Sequence, residues 1–312
     1  MNAPSKLAAR PAAPIAEAAS GGGRGRRGVG GILVFVAIGL VAGFLSGMFG
    51  VGGGILIVPA LIYIAKLDPR VAVGTSLLAI LPISLAGVTT YAIGGHVDVL
   101  VALLLAAGSL AGAPIGARLL HRLPMRAVRG AFLVFVAVVI VSLFIVIPSR
   151  DAVVEITWLT AAGLVGAGFV TGVCSGLLGV GGGVIIVPAL TLLFGSSDLM
   201  AKGSSLLMMI ATSAMGTFSN IRARNLDVAG ALCVGGAAAL TTSLGGIVAA
   251  AVSPQVANIA FAGFLVLIGV RMAIDLFKRP AGRDEVAEAV STFTGEFTAV
   301  RADDAAPARG RA

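Results

Sequence analysis

The chain has 312 residues, of which 58% are hydrophobic and only 12% charged, with a mean hydropathy of +1.05. About a quarter of the residues of a soluble domain are charged, so this composition excludes a water-soluble globule. The formal charge of +8 does not indicate a nucleic-acid partner, because the cations cluster in tails and short loops beside apolar runs, where positive-inside bias places them.

Residues 1–28 are rich in Ala, Pro and Gly and end in Arg24, Arg26 and Arg27, directly before an apolar run. A signal peptide is the alternative, but cleavage after that run would remove part of a duplicated unit. Residues 1–29 are therefore read as a basic, disordered cytoplasmic tail. Residues 30–65, 71–95, 99–117 and 203–221 contain no Lys, Arg, Asp or Glu. About 20 apolar residues cross a bilayer as a helix, and the continuous apolarity argues against the alternating pattern of a barrel. The expected fold is an all-α polytopic membrane protein.

Residues 43–61 read GFLSGMFGVGGGILIVPAL and residues 172–190 read GVCSGLLGVGGGVIIVPAL, identical at 13 of 19 positions. The same offset of 129 pairs Gly74 with Gly203, Ser84 with Ser213, Asp98 with Asp227, Gly116 with Gly245 and Phe132 with Phe261. Five apolar segments are expected per copy: 30–49, 54–66, 71–93, 97–119 and 127–148, then 156–178, 183–195, 201–221, 226–250 and 256–277. The first repeat thus covers 30–148 and the second 156–278, with an external linker at 149–155 and a disordered cytoplasmic tail at 279–312. Fusing the first two segments would give four spans per copy and place the basic loop of Arg118, Arg122, Arg126 and Arg129 outside. Five spans place it inside, and an odd number turns the second copy upside down. The second segment of each copy is short, and it either crosses fully or re-enters.

Gly50-Val51-Gly52-Gly53-Gly54 and Gly179-Val180-Gly181-Gly182-Gly183 interrupt these helices. Each Gly costs about 1 kcal/mol against Ala in a helix, and unwound backbone at membrane depth must line protein or a watery cavity. A helix beginning at Gly54 or Gly183 would present free N–H groups to an anion. The alternative for the pentapeptides is a tight turn, and a nucleotide-binding loop is excluded by the missing Gly-Lys-Ser/Thr. Gly39, Gly43 and Gly47, matched by Gly168, Gly172 and Gly176, read as close-packing ladders.

Thr75, Ser76, Ser204 and Ser205 sit at matching places and either coordinate an anion or back-bond to helical carbonyls. Ser46 and Ser175 carry the same two readings. Lys202, whose matching position holds Val73, either adds positive charge at one mouth of the pathway or is a surface charge, and it is read as the latter. Asp98 and Asp227 are expected as N-caps, His96 as solvent-facing, and Arg271–Asp275 as a local pair. Cys174 and Cys233 read as small core residues, without a disulfide framework or metal-ligand spacing. No Asp or Glu falls well inside an expected segment, which favours an anionic or neutral substrate over a cation. The expected partners are a small anion and the lipid bilayer, with no cofactor and no metal.

These motifs, with GTSL at 74–77 and GSSL at 203–206, resemble the sulfite exporter TauE/SafE family of bacterial membrane proteins over residues 30–278. The resemblance implies transport of sulfite, sulfonates or related organosulfur anions across the cytoplasmic membrane. Carried over by motif, the substrate would lie among Gly52, Gly53, Gly54, Thr75, Ser76, Gly181, Gly182, Gly183, Ser204 and Ser205, with Ser46 and Ser175 beside them. An alternating-access carrier is the leading expectation, and a channel lined by the same half-helices is the alternative. An intramembrane enzyme would need a nucleophile–base pair or metal ligands, and the two histidines both fall in loops.

Overall fold

The computed structural model describes residues 29–123, 130, 133–134, 136–138, 140–141, 154 and 156–278. The fifth expected segment (127–148), the linker at 149–155 and both tails fall wholly or largely outside them. Nine described helices follow in order: α1 (Val29–Phe49), α2 (Gly54–Tyr63), α3 (Pro69–Ile93), α4 (Val99–Arg122), α5 (Trp158–Leu178), α6 (Gly183–Leu193), α7 (Asp198–Arg222), α8 (Val228–Ala251) and α9 (Pro254–Lys278). The described residues up to Gly269 form one compact unit, and those from Val270, the end of α9, belong to a second.

Local chemistry sets the boundaries. Asp68 accepts from Arg70 N at 2.9 Å and Pro69 opens α3, since proline's missing N–H costs nothing at a first helical position. Thr157 and Thr160 form a reciprocal capping box at the start of α5. Asp98 and Asp227 cap α4 and α8 by accepting from Val101 N and Gly230 N. α1, α3, α4, α5 and α8 are long and apolar enough to cross a bilayer, among the described residues. With α2 and α6 as shorter apolar helices, this is a multi-pass helical membrane protein. Large side chains such as Leu33, Leu103, Leu159 and Leu240 are exposed, as lipid-facing positions require.

Packing crosses between the two copies. α1 lies along α8 and, equivalently, α5 along α4; α3 packs against α7 at the centre. The glycine ladders make this possible. A Cβ at Gly43 would lie 2.5 Å from Ala238 Cα, and one at Gly172 would lie 2.7 Å from Ser109 Cα. Real Cβ atoms do not approach backbone so closely, so the ladder positions admit only glycine.

Hydrogen bonds repeat the exchange. Asp227 N donates to Thr75 Oγ1 at 3.0 Å, and Asp98 N to Ser204 Oγ at 2.9 Å. Ser76 Oγ donates to Gly179 O at 2.6 Å, and Ser205 Oγ to Gly50 O at 2.7 Å. Such reciprocity, in which i meets j′ while j meets i′, is the signature of an approximate two-fold relation. The equivalent helices α3 and α7 run antiparallel. Gly74, early in α3, packs on Asn220 and Asn225 at the end of α7, while Gly203, early in α7, packs on Tyr91 and the His96 carbonyl beyond α3.

Candidate functional site: two glycine breaks that meet

The breaks come together at the approximate two-fold. A Cβ at Gly54 would lie 2.7 Å from Gly179 O and Val180 Cα; one at Gly183 would lie 2.6 Å from Gly50 O and 2.9 Å from Val51 Cα. Each helix start thus touches the backbone of the opposite break. Gly52 and Gly53 hold φ of 70° and 72°, and Gly181 and Gly182 hold 82° and 97°. Two consecutive left-handed residues are a conformation that only glycine adopts without strain. Consecutive N–H groups in such a turn make a concave, anion-binding surface.

Both helix starts are buried and neither has a side-chain cap at Gly53 or Gly182. Leu56 N and Ile57 N bond Gly53 O, and Ile185 N and Ile186 N bond Gly182 O. The N–H groups of Gly54, Ile55, Gly183 and Val184 belong to the first helical turn and have no intrahelical acceptor. Each break therefore combines unclaimed donors with the positive end of a helix, in surroundings free of water-exposed surface.

The hydroxyls divide into two groups. Those of Ser76 and Ser205 tie the breaks in place, each bonding the opposite break and its own helix, at Val73 O and Lys202 O respectively. Thr75 and Ser204 fasten the starts of α8 and α4. Ser46 and Ser175 are different: each is 1% exposed, and neither Oγ has a hydrogen-bond partner. Thr171 Oγ1 is buried without a partner as well. A Cβ at Gly182 would meet Thr171 Cγ2 at 2.5 Å and Ser175 Cβ at 3.8 Å, so these hydroxyl-bearing side chains flank the second break. A buried, unpaired hydroxyl costs about 1–3 kcal/mol, and here a matched pair lies beside matched breaks.

Ile80 and Met209, equivalent at the offset of 129, complete the centre. Met209 Cε occupies the space that a Cβ at Gly52 or Gly181 would need, and Ile80 packs on both glycines. Nothing in an apolar pair on an apolar helix marks it in the sequence; only the crossing of the two breaks does.

Lys202 corrects one expectation. It is 3% exposed, not a surface charge, and its Nζ donates to Asp198 Oδ2 at 2.8 Å. Its Cβ lies 2.6 Å from where a Cβ at Gly50 would be, so the pair sits against the first break. α7 begins at Asp198, earlier than the expected 201, and this places a buried carboxylate inside a helix where none was expected. One turn of helix lets the pair neutralise itself. Removing one partner of a buried pair costs about 3–5 kcal/mol, whereas replacing both by apolar groups is close to neutral. Lys202→Met is therefore expected to lower the thermal midpoint in detergent sharply, and Asp198→Leu/Lys202→Met to recover most of it. Additive losses in the double variant would show that the charges do not compensate each other.

His96 is half-buried and not fully exposed to solvent. The side chains of Arg271 and Asp275 lie outside the described residues. Among the described residues no group of His, Cys, Asp or Glu could hold a metal ion, and Cys174 and Cys233 are free and half-buried.

The family model described as Sulfite exporter TauE/SafE matches residues 6–143 and 164–301. A probable membrane transporter protein of Bacillus subtilis (strain 168), YunE, is 30% identical over 212 residues, covering 61% of this chain and 78% of its own length. A probable membrane transporter protein of Xylella fastidiosa (strain 9a5c) is 31% identical over 202 residues, covering 62% of this chain and 73% of its own. One from Haemophilus influenzae is 28% identical over 197 residues, covering 61% of this chain and 74% of its own. No solved structure matches the chain. A family model that matches most of a chain folded as a multi-pass helical bundle leaves one assignment: the chain is a membrane transporter of the sulfite exporter TauE/SafE family.

Proposed function

We propose that the protein is a secondary carrier of a small anion in the inner membrane, with sulfite, a sulfonate or a related organosulfur anion as its cargo. The anion binds between the two breaks, held by N–H groups at the starts of α2 and α6 and by the hydroxyls of Ser46 and Ser175. The observation that carries this reading is the matched pair of buried, unbonded hydroxyls beside matched helix starts. Helix N-termini bind anions without a charged side chain, which suits a site that must release its cargo. The family name supplies sulfite as a lead for the cargo, and with the names of the relatives it supplies the transport role.

The antiparallel course of α3 and α7 supports two inverted repeats that exchange access by rocking about the approximate two-fold. The basic ends of α4 and α7 then face the cytoplasm, together with both termini. Met209 and Ile80 covering both breaks support an occluded carrier over a continuous pore.

The test is flux in reconstituted vesicles with sulfite, sulfate, thiosulfate, taurine and sulfoacetate. Saturable uptake of a sulfur anion with counterflow is expected. Flux without counterflow would replace the carrier by a channel, and no flux of any of these anions would overturn the reading.

A further inference from the structure

The approximate two-fold gives each residue of α3 a counterpart in α7, so chemical differences between the two ends of the pair stand out. At one end, Tyr91 donates to Gly47 O at 2.7 Å, and Asp198 and Lys202 neutralise each other. Asp98 N bonds Ser204, and Asp98 Oδ1 caps α4. The buried polar groups there are consumed.

At the other end the equivalent positions hold different residues. Asn220 stands where Tyr91 would, Asn225 for His96, Thr217 for Val88, Arg70 for Leu199 and Val73 for Lys202. Asn220 is 0% exposed and turns its Nδ2 back onto Gly216 O at 2.9 Å. Four side-chain atoms are buried here without a partner: Arg70 Nε, Thr217 Oγ1, Asn220 Oδ1 and Asn225 Nδ2. Asn220 and Asn225 meet at Gly74, and the other two lie one helical turn away from that point. A Cβ at Gly74 would lie 3.1 Å from both Asn220 Cβ and the Asn225 carbonyl carbon. Arg70 lies one turn before Gly74 on the same face of α3, and Thr217 one turn before Asn220 on α7. Arg222 at the end of α7 and Lys66 and Arg224 in the loops add positive charge at this end; Asp68 and Asp227 are engaged as helix caps.

Leaving each such group unpaired costs about 1–3 kcal/mol, a cost that a ligand with matching hydrogen-bond groups would relieve. The cluster's inventory defines one. A guanidinium N–H, a hydroxyl and a carboxamide NH₂ donate, which suits an anionic oxygen. The carboxamide oxygen of Asn220 only accepts, so the ligand must also bring a hydrogen of its own. We propose that Arg70, Thr217, Asn220 and Asn225 form a second anion site, a vestibule at the basic end of α3–α7. It selects small sulfonates that carry their own hydrogen-bond donor. This rests on the carrier reading above and adds to it the side from which cargo is loaded and the feature by which it is chosen.

Vesicle flux of ethanesulfonate against 2-hydroxyethanesulfonate tests the site, since the two differ only in a hydroxyl. In the wild type the hydroxylated anion should reach half-maximal flux at a concentration about tenfold lower, the factor expected for one hydrogen bond to a group otherwise left unpaired. Asn220→Leu should erase that preference without lowering the thermal midpoint. Asn220→Tyr installs the residue that the other end already accommodates. It should likewise erase the preference, in a protein that folds and still carries ethanesulfonate. Equal flux of the two anions in the wild type, or a preference that survives Asn220→Leu, would overturn the vestibule and leave the carrier intact. If neither anion crosses while sulfite does, the sulfonate vestibule falls alone; if nothing crosses, both readings fall.

Discussion

Gly54→Ala and Gly183→Ala are each expected to reduce transport at least about a hundredfold while the protein still inserts and can be purified. The reason is the crossing of the breaks. A single methyl at Gly54 would sit 2.7 Å from Gly179 O and Val180 Cα, and at Gly183 2.6 Å from Gly50 O. These neighbours are backbone atoms, held by Ser76 and Ser205 at 2.6 and 2.7 Å, so no side chain can swing aside. The two helix starts must separate, and a shift near 1 Å in a binding constellation is enough for such a loss. Gly166→Ala serves as the control. It lies in α5 with nothing within 4 Å of its Cβ, and it should gain about 0.5–1 kcal/mol of helix stability. Vesicle flux and thermal unfolding on the same preparations separate the two outcomes. Normal flux in both breaks' variants would show that their contact is dispensable.

Ser46→Ala combined with Ser175→Ala has the second large effect, and the sign of its stability change makes it diagnostic. In a purely structural role a buried serine bonds something, and its loss destabilises. These two bond nothing, so removing them relieves a desolvation cost and the thermal midpoint should hold or rise. Transport should fall all the same. A hydrogen bond to a charged group contributes about 1.5–3 kcal/mol, which is about ten- to a hundredfold in apparent affinity for each hydroxyl. Ser76→Ala and Ser205→Ala should behave in the opposite order, losing stability first, because each strips a carbonyl of its donor. Full transport by the Ser46/Ser175 variant would remove the hydroxyls from the site.

Much of the architecture is legible in the residues because duplication leaves a constant offset. The expected second segments begin at Gly54 and Gly183, as α2 and α6 do, because a run of glycines ends one helix and frees the next. Asp98 and Asp227 declare their caps for the same local reason. The division among the hydroxyls is not legible. Thr75, Ser76, Ser204 and Ser205 look as available as Ser46 and Ser175 until the opposite copy supplies their partners, from more than a hundred residues away. Lys202 escapes for a different reason. Its partner Asp198 lies one turn upstream, beyond where apolar periodicity starts the helix, and only the Ser197 cap, accepting from Met200 N at 3.3 Å, extends it that far. Asn220, Thr217 and Arg70 are hidden by the repeat itself. Reading by matched positions draws attention to what the copies share, and these three have no match.

The central claim is that the meeting point of the two breaks binds an anion. Its most direct measurement is the thermal midpoint of the purified protein in detergent as sulfite is titrated, wild type against Ser46→Ala/Ser175→Ala. A ligand that binds only the folded state stabilises it by about 2.7 kcal/mol at a hundred times its dissociation constant. The wild type should rise with concentration, and the variant should need at least about tenfold more sulfite for the same rise. Identical titrations for the two proteins would place the anion somewhere else.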